Sequence, residues 1–133
     1  MTSRSLLHRC SVVLLLLASV ARPAAATQTT AYVLTSDFSS GSLSSVNLAT
    51  RGVSRDLATV YSDARVRWFG GLLYVVNRFG QDNIQVIDPA AGYTTLRQFS
   101  VGNGSNPQDI ALVSQGKAYV TRLASPRLLI VDP

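Results

Sequence analysis

The chain has 133 residues, 47% of them hydrophobic, which is enough to bury the core of one modest domain. Its formal charge of +5 includes Arg4, Arg9 and Arg22, which fall in an N-terminal stretch read below as removed; nine Lys and Arg then face seven Asp. That small, scattered surplus argues against nucleic acid as a partner. Every acid is Asp and Lys117 is the only lysine, so good helix formers are scarce and a β-rich chain is expected.

In chain order, residues 1–26 read as a signal peptide. Arg4, His8 and Arg9 form a positive start, Val12 to Val20 an apolar run, and Ala24-Ala25-Ala26 the small residues that a signal peptidase reads. The run is shorter than the roughly 20 residues that span a bilayer, so cleavage after Ala26 and a secreted, periplasmic or cell-envelope location are expected, with no transmembrane domain afterwards. Cys10, the only cysteine, leaves with this segment. The mature chain therefore has no disulfide to staple it.

From there one pattern is written three times, over about residues 30–61, 62–102 and 106–133. Each copy contains a tyrosine strand, at Tyr32, Tyr74 and Tyr119, that leads through a polar loop into a second strand. Spacings of 42 and 45 residues suit a β-propeller blade of four strands, lettered a to d from the axis outward. The first copy supplies b (Ala31–Ser36), c (Leu43–Leu48) and d (Val53–Val60). The second supplies a (Ala64–Phe69), b (Leu72–Asn77), c (Asn83–Asp88) and d (Tyr93–Val101). The third supplies a (Asp109–Val113), b (Lys117–Arg122) and c (Leu128–Asp132). Gly70-Gly71, Asp88-Pro89 and Gly102 to Pro107 punctuate these runs. Uninterrupted apolar runs such as Leu72 to Val76 suit strands buried on both faces, and Trp68 and Phe69 are expected in the core between blades.

Tyr74 to Asn77, Val86 to Pro89, Val101-Gly102, Asn106-Pro107 and Tyr119 to Thr121 together resemble the YVTN family of secreted bacterial β-propellers. The resemblance spans about residues 30–133. It implies an all-β propeller, typically seven-bladed, exported or surface-associated. Some relatives of that fold are lactonases or quinoprotein-like enzymes, and others are binding or surface proteins. About two and a half blades fall short of the roughly four that a propeller needs to close. A truncated product or part of a longer protein is therefore expected, with missing blades or self-association covering its edge strands.

The mature chain lacks His, Cys and Glu. That removes Ser-His-Asp and Cys-His nucleophiles and the usual zinc sites. No motif calls for a cofactor or metal, and no catalytic residue is assigned. Candidate ligand-binding residues are Asn77, Arg78 and Asp82, on a hairpin loop, and Arg65 and Arg67, alternating on the strand nearest the axis. The leading expectation is a non-enzymatic exported scaffold that binds an unknown ligand or protein. The alternative is the N-terminal part of a propeller enzyme.

Overall fold

The computed structural model describes residues 29–133, so the signal peptide expected over 1–26 lies outside the described residues. Among the described residues there is no helix: ten strands form three separate antiparallel sheets. The first sheet is β1 (Thr30–Ser36), β2 (Gly41–Asn47) and β3 (Val53–Val60). The second is β4 (Ala64–Phe69), β5 (Leu72–Asn77), β6 (Asn83–Asp88) and β7 (Thr94–Ser100). The third is β8 (Pro107–Ser114), β9 (Lys117–Arg122) and β10 (Leu129–Val131). Each is a meander in chain order, because short turns force sequential strands to pair. Gly70-Gly71, both at positive φ (58° and 89°), close the two-residue turn from β4 to β5.

The middle sheet shows why a continuous apolar run makes a strand here. The two-residue side-chain period sends Tyr74, Val76, Ile84 and Val86 to one face, and Leu73, Val75 and Ile87 to the other. Pairing sets Tyr74 opposite Val86, Val76 opposite Ile84 and Leu73 opposite Ile87. The first face packs on Ile110, Ala118 and Val120 of the third sheet. The other packs on Leu43 and Val60 of the first. All these side chains are buried, the Val, Leu and Ile members each gaining roughly 1.5–3 kcal/mol of gross transfer energy. The middle sheet is the filling between the other two.

Five strands follow the sequence expectation residue for residue: β3, β4, β5, β6 and β9. The others differ at their ends. β2 starts at Gly41, which pairs with both Ser36 and Val60. β7 starts after Tyr93, whose positive φ (63°) keeps it in the turn. The expectation for the aromatic pair of β4 holds for only one member. Phe69 packs against the core shared with the third sheet, whereas Trp68 is exposed. Trp68 shares a face with Val66, toward the first sheet, and among the described residues that sheet has no strand beyond β1 to cover it.

The hairpins β1–β2, β5–β6 and β9–β10 gather at one end with the connections 61–63 and 101–106. Arg78 N–H donates to the Asp63 carbonyl (2.9 Å) and Leu123 N–H to the Asn106 carbonyl (3.0 Å), so each connection is bolted to the next hairpin.

Candidate functional site

The loop end places Asn77, Arg78 and Asp82 close in sequence but gives them separate surroundings. Asn77 ends β5 and is 2% exposed. Its Oδ1 accepts from Tyr61 N–H (3.0 Å), and its Nδ2 donates to Asn83 Oδ1 (2.9 Å) and Gln85 Oε1 (3.3 Å). Gln85 Nε2 in turn donates to the Thr59 carbonyl (3.2 Å) and Thr95 Oγ1 (2.9 Å). This chain satisfies amides that would otherwise be buried without partners, and it ties the first sheet to the second.

Arg78 points to the other side. Its Nε donates to Asp63 Oδ1 (2.9 Å), its Nη2 makes an ion pair with the same oxygen, and its Nη1 donates to Gln108 Oε1 (3.2 Å) of β8. Asp82 is buried, and both its oxygens serve one connection: Oδ2 accepts from Gly104 N–H and Oδ1 from Asn106 N–H, each at 2.7 Å. Asp82 sits at φ 51°, a left-handed conformation that Asp tolerates better than most residues.

Arg65 and Arg67 lie on β4 and meet Asp109 of β8. Arg67 is bidentate, Nε to Oδ1 at 2.9 Å and Nη2 to Oδ2 at 2.6 Å; Arg65 Nη1 stands 3.7 Å from Oδ2. Burial alone raises the Asp109 pKa, but the Arg67 hydrogen bonds, the Ile110 N–H and both guanidinium charges outweigh it and hold the carboxyl below its ordinary value. The same pair raises Arg67. The planar fork of arginine matches a carboxylate in this way, so Arg67 serves the junction of the second and third sheets.

Between the loops lies a cleft of about 290 Å³. Phe79, Gly80, Asp82, Gly104, Asn106, Leu123 and Ala124 line it. Phe79 is 70% exposed and Leu123 72%, and Phe38 on the β1–β2 loop is 96% exposed. Each of the three hairpins at this end thus carries at least one uncovered apolar side chain, the third also Leu128 at 58%. The cleft offers apolar contact, while the one acid lining it is held by backbone N–H groups. Sequence reasoning passed over these residues. The signal was there: Phe38, Phe79 and Leu123 follow the repeat tyrosines by six, five and four positions. It also passed over Asp63, Gln108 and Asp109, the groups that engage the arginines.

Among the described residues, no group of three or more His, Cys, Asp or Glu is placed to hold a metal ion, and no helix is long and apolar enough to cross a membrane. The chain matches no protein-family model and no curated protein.

Proposed function

We propose that the three sheets are blades of an exported β-propeller of the YVTN type, and that the protein is a non-enzymatic scaffold whose loop end binds a partner through apolar contacts. Three antiparallel meanders with equivalent registers support the first part. Tyr32 pairs with Ser45, Tyr74 with Val86 and Tyr119 with Ile130, so the repeat tyrosine holds one position in each sheet.

One contrast carries the functional part. At the loop end the charged candidates are engaged by protein groups, Arg78 by Asp63 and Asp82 by two N–H groups, while Phe38, Phe79 and Leu123 stand uncovered. General acid–base chemistry needs a titratable group within reach of substrate. An exposed aromatic beside an aliphatic, over a shallow cleft, suits an anchor residue from another chain. Selection of random linear peptides on the purified protein tests this. The reading predicts peptides with an apolar anchor whose binding falls at least tenfold for Phe79→Ser or Leu123→Ser. Peptides that ignore both substitutions, or saturable lactone hydrolysis by the protein, would contradict it.

A further inference from the structure

The turn that leads from the second sheet to the third is closed by Ser105 N–H donating to the Gly102 carbonyl (3.1 Å), with Gly104 at a positive φ of 71°. Asn103 lies inside it. The chain has five asparagines, Asn47, Asn77, Asn83, Asn103 and Asn106, and Asn103 differs from the other four in two ways. It alone is followed by glycine: Leu48, Arg78 and Ile84 follow the first three, and Pro107, which has no N–H, follows the last. It alone has a side-chain amide with no hydrogen-bond partner among the described residues. Asn47 and Asn77 accept from backbone N–H groups, Asn83 from Gln98 and Asn106 from Gln108.

An asparagine before glycine is chemically labile, because without a Cβ the next backbone nitrogen can approach the side-chain carbonyl. Packing does not prevent that approach here. Asn103 is exposed, and beyond the chain neighbours no atom lies within 4 Å of where a Cβ would stand on Gly104. One contact opposes it. Gly104 N–H donates to Asp82 Oδ2 at 2.7 Å, a charge-assisted bond. The nitrogen that would attack must first give up this bond and its proton, and the carboxylate charge disfavours an amide anion beside it.

We propose that Asn103 is a site of spontaneous conversion to aspartate and isoaspartate, and that Asp82 sets the rate by holding the Gly104 N–H. Gly104 N loses its proton to hydroxide and attacks Asn103 Cγ. The new N–Cγ bond closes a succinimide ring as the Cγ–Nδ2 bond breaks, and Nδ2 leaves as ammonia with a proton from water. Water then opens the ring. Cleavage of the N–Cγ bond gives aspartate, and cleavage between Gly104 N and the main-chain carbonyl carbon of residue 103 gives isoaspartate. The sum is one water consumed and one ammonia released, with no oxidation or reduction. Aspartate adds a charge at the turn. Isoaspartate also inserts a carbon into the main chain within it, so Gly104, which lines the cleft, shifts against Asp82. The inference stands on these residues and not on the identity of any partner.

Mass mapping of the full chain, incubated folded in mildly alkaline buffer, tests this, with an isoaspartate methyltransferase counting the isomer. The amide-to-acid change should map to Asn103 and quicken with pH, since the deprotonated nitrogen attacks. Folded protein should convert at least about 10-fold more slowly than the same chain in urea, and Asp82→Ala should quicken the folded protein about 10-fold or more, as loss of one charge-assisted hydrogen bond implies. Asn77→Ala also weakens the fold but leaves the Gly104 bond in place, so it should convert within about twofold of wild type. Conversion at another asparagine, none at Asn103 in urea, folded wild type as fast as the chain in urea, or Asp82→Ala no faster than Asn77→Ala would overturn the proposal. Should Asp82→Ala fail to fold, hydrogen exchange of wild type decides. Exchange at the Gly104 amide and conversion of Asn103 should quicken in proportion as urea is raised below the unfolding transition, and conversion indifferent to Gly104 exchange overturns the proposal.

Discussion

Replacing Asp82 should loosen the junction between the second and third sheets at one place. The buried carboxylate accepts two short hydrogen bonds, from Gly104 and Asn106 N–H at 2.7 Å each. Hydrogen bonds to a charged group contribute about 1.5–3 kcal/mol each. Gly104 is exposed, so its N–H finds water once the side chain is gone, and most of the cost falls on the Asn106 bond. Alanine also fits the positive φ of 51° less well than Asp, adding about 1 kcal/mol. Asp82→Ala should therefore cost about 3 kcal/mol. Asp82→Asn keeps one acceptor and tolerates the backbone, so it should cost about 1–2 kcal/mol. Urea unfolding of both variants gives these values, with hydrogen exchange locating the loss in 101–106. An alanine variant within about 0.5 kcal/mol of wild type, or one no worse than asparagine, would refute the reasoning.

Other expectations follow from neighbouring features. The lowered pKa of Asp109 means that its stabilisation is present above the ordinary value of 3.8 and is lost as pH falls through the lower folded value. Asp109→Asn should flatten the acid limb of stability below about pH 4, read by thermal melts across pH. Ile84→Ala should cost about 2–5 kcal/mol in unfolding, and Leu128→Ala at the equivalent exposed position less than about 1 kcal/mol. Asn77→Ala should cost about 2–3 kcal/mol in the same assay, because it strands the Tyr61 N–H and the Gln85 side-chain oxygen Oε1. The proposed signal peptide predicts a mature protein that begins at Thr27, read by intact mass.

Much of the strand pattern is legible in the residues because turn chemistry and apolar runs agree. The glycine pair at 70–71 and the loop from Phe79 to Asp82 bracket Leu72–Asn77 with no competing register, and that strand falls where it was expected. Ends were harder where a turn residue is also apolar: Tyr93 looks like a strand residue, yet its left-handed backbone places it in the turn. Trp68 was read as core because it is large and apolar. Its exposure depends on which strands stand opposite, which is a property of the sheet arrangement rather than of the local sequence. The candidate site divides in the same way. Loop position made Asn77, Arg78 and Asp82 visible, but their partners Tyr61, Asp63 and Asn106 come from connections that the pairing of sheets brings near. Local sequence carries no trace of such long-range acceptors and donors.

A crystal structure of the full chain, grown from its principal solution species, tests the central claim most directly. The account predicts Tyr74, Ile84 and Val86 packed on Ile110, Ala118 and Val120 of the third sheet, and Leu73, Val75 and Ile87 packed on Leu43 and Val60 of the first. Finding the second sheet packed on the first or the third through other faces would contradict it.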